Sequence, residues 1–268
     1  MFSFRRTSAI VLRQFYLMQG SPARVLPLFA WVAIDMVTWG FITKYLNSVS
    51  GSGFNFVPSL LGAVLLWDFF IRVMQGVTMT FFEDVWSRNF LNLFASPLSI
   101  SEYITGLVIT SVVTSSIGVV VMMLLATGVF HLQFFSLGLP LIGFLMVLFV
   151  FGISLGIFAS AIVLRLGPAS EWLLWPIPAL LSPFAAVFYP LAVLPNWMQW
   201  VSHALPPAYV FEGMRALLDG QPFPRGQLLQ GALIAAAELL LAAYFYGAVY
   251  RHAVRTGLLA RYSAESVA

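Results

Sequence analysis

Four ionisable side chains lie within apolar segments of the sequence, where charge is costly. They are Asp35, Asp68, Arg72 and Glu238. A charge at the centre of a bilayer costs about 2.5–3.5 kcal/mol on insertion scales, so each needs a partner or a wet cavity. Asp68 and Arg72 are four residues apart and can neutralise each other, either as a structural pair or as part of a transport path. Asp35 and Glu238 have no local partner, so each is protonated, bonded across helices or exposed to a pathway.

Another apolar segment contains the pattern Gly-x-Ser-x-Gly, from Gly152 to Gly156, with Ser154 at its centre. In hydrolases this pattern places a nucleophile on a strained turn between a strand and a helix. Here it lies in the middle of a helical run, which argues against catalysis. Gly152, Gly156 and Ser160 instead predict close packing of helices, within the chain or between two copies.

The sequence indicates no other catalytic or metal-binding chemistry. The chain has no cysteine, which excludes disulfides, thiolate ligands and thiol nucleophiles. His131, His203 and His252 are scattered and lack the spacing of metal ligands. We therefore predict no catalytic residue, no metal site and no cofactor bound by this chain.

Residues 83–96 predict a short amphipathic helix between two hydrophobic segments. Aromatic side chains recur there every four residues and share one face, while polar side chains share another. Glu83 and Asp84 lie in the first turn, where the helix dipole favours anions, and Asp84 can pair with Arg88. Pro97 ends the run. At the membrane surface, such a helix could form a contact through which a partner protein moves the membrane spans.

The composition is that of an integral membrane protein. Hydrophobic residues make up 60% of the 268 residues and charged residues 9%, with a mean hydropathy of +0.93. A soluble domain carries roughly a quarter charged residues. The net charge of +3 comes without any basic run, so it predicts membrane orientation and excludes a nucleic-acid partner.

Six segments approach or reach the roughly 20 apolar residues that cross a bilayer. They are 25–45, 58–81, 103–125, 139–164, 172–189 and 228–250. The fifth is short and contains three prolines. With a cytosolic N-terminus, most arginines lie inside, which predicts that both termini are cytosolic. The expected fold is a single all-α transmembrane domain over residues 1–268.

Two further segments flank these spans. Residues 1–22 predict a basic amphipathic helix in the membrane interface, with Phe4 and Phe15 on one face and Arg6 and Arg13 opposite; the alternative is a first turn leading into the first span. Residues 190–224 predict two half-length helices, the first capped by Asn196. They form either a re-entrant hairpin packed on the fifth span or an outer loop with two surface helices.

The run from Glu83 to Pro97, followed by Ser101–Gly106, resembles the cytosolic coupling segment of ABC-2 type exporter permeases. The run from Tyr189 to Arg215, with Leu194-Pro195-Asn196-Trp197 inside it, resembles the outer re-entrant hairpin of the same family. The resemblance implies a permease in the bacterial inner membrane that pairs with a second copy and with ABC ATPase subunits, and that exports a drug, lipid or glycan. It also implies that the ATPase contacts Glu83, Asp84, Trp86, Arg88, Asn89 and Asn92.

Nucleotide chemistry is expected to lie elsewhere. The only lysine is Lys44, and no phosphate-binding P-loop precedes it, so ATP and Mg²⁺ would be bound by the partner ATPase. Two alternatives remain at this point. An ion-coupled carrier would need paired broken helices in two related halves, and only one broken segment is evident. An intramembrane hydrolase would use Ser154 with a histidine, although His203 and His252 lie far from that span.

Overall fold

The computed structural model describes residues 2–49, 57–87, 90–130 and 138–257, and these residues are helical, with no strand among them. The ten α-helices are α1 (Phe4–Gln19), α2 (Pro22–Val49), α3 (Gly62–Trp86), α4 (Phe90–Ala95), α5 (Ile100–Phe130), α6 (Leu139–Leu166), α7 (Ile177–Leu181), α8 (Asn196–His203), α9 (Pro206–Leu218) and α10 (Arg225–Arg255). A π-helical turn, Val57–Leu61, leads into α3, and 3-10 turns cover Pro168–Leu173 and Leu191–Val193.

Five helices of the described chain are long and apolar enough to cross a membrane. They are Pro22–Val49, Ser59–Trp86, Ile100–Phe130, Leu139–Leu166 and Arg225–Arg255. They correspond to the predicted spans one to four and six, and each is longer than its apolar stretch. Because α3 is the most buried of the five and α2 the least, α3 lies at the centre of the bundle.

Helix α5 runs antiparallel to α3. The Ser111 hydroxyl donates to the Val73 carbonyl oxygen at 2.8 Å, and the Tyr103 hydroxyl donates to Asp84 at 2.8 Å. Sequence numbers therefore rise along one helix as they fall along the other. A Cβ added at Gly76 would lie 2.4 Å from the Ser111 hydroxyl oxygen, so the missing side chain at Gly76 permits the two helices to approach closely.

Helix α6 runs parallel to α3 and packs on it through small residues. A Cβ added at Gly152 would lie 2.9 Å from Val73, and one added at Gly156 would lie 2.8 Å from Val77. One turn further on, the buried Ser160 hydroxyl bonds to the Gly156 carbonyl oxygen at 2.8 Å. The Gly-x-Ser-x-Gly pattern therefore lies in a helix–helix contact within the chain.

Helix α10 runs parallel to α6. A Cβ added at Gly143, near the start of α6, would lie 2.8 Å from Leu228, near the start of α10. Further along, the rings of Phe158 and Phe245 are 5.3 Å apart. Helix α6 is about 42 Å long and α10 runs in the same direction. The chain that links the end of α6 to the start of α10 must therefore cross the whole bundle in the opposite direction.

That return is made by a broken segment and not by the helix that we predicted at 172–189. The segment contains the 3-10 turn Pro168–Leu173, the five-residue helix α7 and then bends, with Ala186 in the left-handed region at φ 52°. Pro176, Pro178 and Pro183 account for the break, because proline lacks a backbone donor and its ring clashes with the preceding turn.

The predicted pair of half-length helices is present as α8 and α9. Helix α8 begins at Asn196 and α9 begins at Pro206, within one residue of the predicted starts. The predicted cap is wrong, because Pro195 occupies the N-cap position of α8 and Asn196 is its first helical residue.

The pair contacts the broken fifth segment, where the rings of Phe184 and Trp197 are 6.0 Å apart, and α9 also packs against α10 and α6. Arg215 joins it to the broken segment, because its guanidinium donates to the carbonyl oxygens of Ala186, at 2.8 Å, and Val187, at 3.3 Å.

These directions place α1 and the end of α10 at the same end of the bundle. Helix α1 contacts the last turn of α3, through Arg13 and Asp84, and the first turn of α5. The end of α10 lies near the end of α3, where the rings of Phe81 and Tyr246 are 6.4 Å apart. Between these two points the chain therefore crosses the bundle an even number of times, and one of the crossings is irregular.

The contact between α3 and α6 yields a stability prediction. Gly156→Leu places a side chain against Val77 and the Met74 carbonyl oxygen, so we expect a loss of about 2–3 kcal/mol in the free energy of unfolding. Gly128→Leu is the matched control, since a Cβ at Gly128 meets nothing within 4 Å. Denaturant unfolding of the purified protein in nanodiscs measures both. Equal stability of the two variants would show that this helix contact is not close-packed.

Candidate functional site

The site of interest is the end of the bundle where residues 87–99 connect α3 to α5. Helix α3 continues through Trp86, and the six-residue helix α4 follows from Phe90. The single helix predicted over residues 83–96 is thus divided between the end of α3 and α4. The ring of Trp86 stacks on Phe82 at 5.6 Å and remains half exposed, and Asn92 on α4 is also exposed. Arg88 and Asn89 lie outside the described residues.

Three arginines near the N-terminus pair with the three acidic residues that border this connection. The pairs are Arg6 with Glu102, Arg13 with Asp84, and Arg24 with Glu83. We call these three pairs the N-terminal ion-pair cluster. It joins α1 and the start of α2 to the last turn of α3 and the first turn of α5.

Glu102 is the most fully bonded member of this cluster. Arg6 donates to both of its carboxylate oxygens, at 2.6 and 2.9 Å, and the backbone amides of Ser3 and Ser99 add two further bonds, at 2.5 and 2.9 Å. Ser99 and Glu102 form a reciprocal cap at the start of α5, because the Glu102 amide also donates to the Ser99 hydroxyl. The hydrogen bond to Glu102 raises the pKa of Arg6, so the guanidinium stays charged.

Asp84 lies deeper and is fully buried. Its carboxylate accepts hydrogen bonds from Arg13 and from the hydroxyl of Tyr103, the latter at 2.8 Å, and Tyr103 is itself fully buried. A buried carboxylate is tolerated only when such partners compensate its lost hydration. The Asp84 side chain is therefore used within the chain and does not present a surface to a partner protein. The expected pairing of Asp84 with Arg88 involves a residue outside the described ones, and it stays a prediction.

Helix α1 sits on α5 through a close contact at Gly106. A Cβ added there would lie 2.7 Å from the Ile10 side chain, and Ile10, Thr7 and Gln14 are buried against the bundle. On the opposite face Phe4 and Phe15 are 80% and 60% exposed. The predicted division of α1 into an aromatic and an arginine face is present, but the arginine face turns towards the acidic residues of the bundle.

The charged residues inside the spans fall into two groups. Asp35, Asp68 and Arg72 line one cavity of about 550 Å³, bounded by α2, α3, α5 and the broken segment. We call it the Asp68 cavity. Glu238 lies on α10, half-buried, and is not among the residues that line this cavity. Among the described residues, no group of histidine, aspartate and glutamate side chains has the arrangement of a metal site.

Sequence reasoning missed most of the N-terminal ion-pair cluster. From the sequence, Arg6 and Arg13 form the polar face of an interfacial helix and, with Arg24, indicate membrane orientation. Glu102 and Tyr103 belong to the run that resembles the coupling segment, but they have no role of their own there. One local signal was available, since Ser99 and Glu102 have the Ser-x-x-Glu spacing of a helix cap. The pairing itself joins residues 59 to 96 positions apart, which no local pattern reveals.

The buried and exposed pairs of the cluster should differ in strength. Asp84→Asn leaves Arg13 facing a neutral group in a buried site, so we expect a loss of about 3 kcal/mol in the free energy of unfolding. Glu83→Gln, in the more exposed pair with Arg24, should cost less than about 1 kcal/mol. Denaturant unfolding measures both. The single variant Arg13→Gln and the double variant Arg13→Gln/Asp84→Asn complete the test. If the stability lost by the double variant equalled the sum of the losses of Arg13→Gln and Asp84→Asn, Arg13 and Asp84 would not interact.

Comparison with known proteins adds one finding. A model of the ABC-2 type transporter family matches residues 6–218, from α1 to the end of α9. A comparison with curated proteins gives no match. The matched region includes the whole N-terminal ion-pair cluster, the Asp68 cavity and the α8–α9 pair. With its several membrane-spanning helices, the chain therefore belongs to the ABC-2 type transporter family and is a multi-pass transport subunit.

Proposed function

We propose that the chain is the membrane-spanning permease of an ATP-driven exporter and that it receives energy from a separate ABC ATPase subunit. The family membership supports this proposal, and so does the sequence, which contains no P-loop. In this proposal ATP and Mg²⁺ bind to the ATPase, and a hydrophobic or amphipathic cargo leaves the cytoplasm through the permease. The end of the bundle that carries α1 faces the cytosol of a bacterial cell.

The observation that carries the proposal is the N-terminal ion-pair cluster around residues 87–99. A partner protein would contact exposed groups of this connection, such as Trp86 and Asn92. Both ends of the connection are held to α1 by ion pairs, one at Asp84 and one at Glu102. Helices α3 and α5 therefore move with α1 as one body. The same helices line the Asp68 cavity together with Trp175 of the broken segment, so movement of this body relative to that segment changes the shape of the cavity. ATP drives transport if the ATP-bound partner prefers one of the resulting conformations.

The proposed contact with the ATPase differs from the one expected from the sequence. Trp86 and Asn92 are exposed, Glu83 is half-buried in its pair with Arg24, and Asp84 is buried. We assign the direct contact to Trp86 and Asn92, with Arg88 and Asn89 between them in the sequence. Asp84 and Glu83 then act as positioning residues that keep this surface attached to the bundle.

A second copy of the chain completes the transport path in this proposal. Among the five long helices, α2 and α10 have the largest exposed surfaces, with Trp31, Phe41 and Tyr244 among their exposed aromatic residues. Helix α2 also borders the Asp68 cavity, through Asp35 and Trp31. Two copies that meet beside this helix would bring their cavities close together.

Replacing Trp86 tests the coupling. The permease is reconstituted with its proposed ABC ATPase partner, and stimulation of ATP hydrolysis is titrated against permease concentration. We expect Trp86→Ala to weaken the apparent affinity about tenfold or more, because exposed tryptophans at interfaces often carry a large share of binding energy.

Trp200→Ala is the matched control, since Trp200 is also exposed but lies on α8 at the other end of the bundle. It should change the apparent affinity less than about twofold, as is usual for residues outside the energetic centre of an interface. Wild-type stimulation by the Trp86 variant would contradict the proposed contact. Transport driven by an ion gradient in liposomes, without any ATPase, would instead favour an ion-coupled carrier.

A further inference from the structure

The Asp68 cavity has the size of a site for a small molecule. Its volume of about 550 Å³ lies within the range of about 300–1,000 Å³ that is usual for ligand pockets. It is lined by α2, α3 and α5 and by Trp175 of the broken segment, so its walls come from four separate parts of the chain. Most of its lining surface is apolar, which suits a ligand with a hydrophobic body.

The acidic and basic side chains that line the cavity do not balance. Two carboxylates, Asp35 and Asp68, face one guanidinium, Arg72. Arg24 also borders the cavity, but it donates to Glu83 at 3.2 Å, so its charge is already matched. The Oδ2 atom of Asp68 is buried and has no hydrogen-bond partner within the described chain. The cavity therefore holds one carboxylate more than the single guanidinium of Arg72 can match, at membrane depth, where an unmatched charge is costly.

The neighbouring side chains indicate that an organic cation neutralises the excess carboxylate of the cavity. The indole rings of Trp31 and Trp175 line the same cavity, and the electron-rich face of an indole attracts ammonium groups. The buried Ser115 hydroxyl oxygen is also without a partner among the described residues. An anion or an uncharged ligand would leave the second carboxylate unmatched.

We propose that the Asp68 cavity binds an amphipathic organic cation, with its cationic group at Asp35 and Asp68 and its apolar part against Trp31 and Trp175. The proposal rests on the proposed transport function, because it names the class of cargo that the permease carries. Two sources offer this chemistry: a free amphipathic amine and the ammonium headgroup of a membrane lipid.

Binding is measured on the purified permease without its ATPase, in nanodiscs of phosphatidylglycerol. The cationic dye rhodamine 6G and the uncharged dye Nile red are titrated, and fluorescence polarisation is recorded. We expect rhodamine 6G to bind saturably and at least about tenfold more tightly than Nile red, since tenfold corresponds to one modest charge interaction. Equal affinity for the two dyes would overturn the proposal.

Matched variants locate the binding. Asp35→Asn and Asp68→Asn should each weaken rhodamine 6G binding about tenfold or more, as expected when one partner of a desolvated charge pair is removed. Glu238→Gln removes an intramembrane carboxylate outside the cavity and should bind as the wild type does. Arg72→Gln should tighten binding, because it removes the competing cation, and damage to the fold would not produce this opposite sign. Unchanged affinity in both aspartate variants would overturn the proposal.

Lipid composition distinguishes the two sources. Half of the phosphatidylglycerol is replaced either by phosphatidylethanolamine or by an uncharged glycolipid, which lowers the surface charge equally. Weaker dye binding in the phosphatidylethanolamine mixture than in the glycolipid mixture would show that the ammonium headgroup of a lipid occupies the cavity. Equal dye binding in the two mixtures would assign the site to a free amphipathic amine. Because no ATPase is present, these measurements are independent of coupling. A permease that binds the dye but never stimulates an ATPase would contradict the proposed function and leave the cavity's selectivity intact.

Discussion

The burial of the Asp84 carboxylate is the constraint on which this end of the molecule depends. A carboxylate without water needs compensating donors, and here they come from α1, through Arg13, and from α5, through Tyr103. Helix α1 therefore cannot leave the bundle without depriving the buried Asp84 carboxylate of its cationic partner. The connection between α3 and α5 is thereby held at both ends, and the segment proposed to meet the ATPase is attached to a rigid support.

The same support reaches the interior of the bundle. Helix α3 runs from Asp84 past Arg72 to Asp68, and glycines on α6 allow that helix to lie directly against it. Because α6 and α10 run in the same direction as α3, the chain between α6 and α10 must cross the bundle in the opposite direction. It does so as a broken segment whose Trp175 closes one side of the Asp68 cavity. The irregular traverse thus forms one wall of the cavity.

Much of this architecture could be predicted from local sequence. The five long helices were predicted because each has an apolar run of sufficient length, and α8 and α9 because Asn196 and the prolines at 206–207 mark helix starts. The fifth span was predicted as a short transmembrane segment broken by three prolines, and the structure has a 3-10 turn, a five-residue helix and bends there in place of a continuous helix. Among the charged residues, local spacing suggested a pair between Asp68 and Arg72, and it missed Asp35, which comes from another helix.

The sequence by itself determined the class of protein, the positions of its spans and the absence of a P-loop, because hydropathy, proline positions and motif spacing are local properties. Only the tertiary structure decided which arginine meets which acid, that Asp84 faces inward, and that Asp35, Asp68 and Arg72 share one cavity while Glu238 does not. These contacts join residues far apart in the chain. Their geometry depends on the direction and close packing of whole helices, which no single segment specifies.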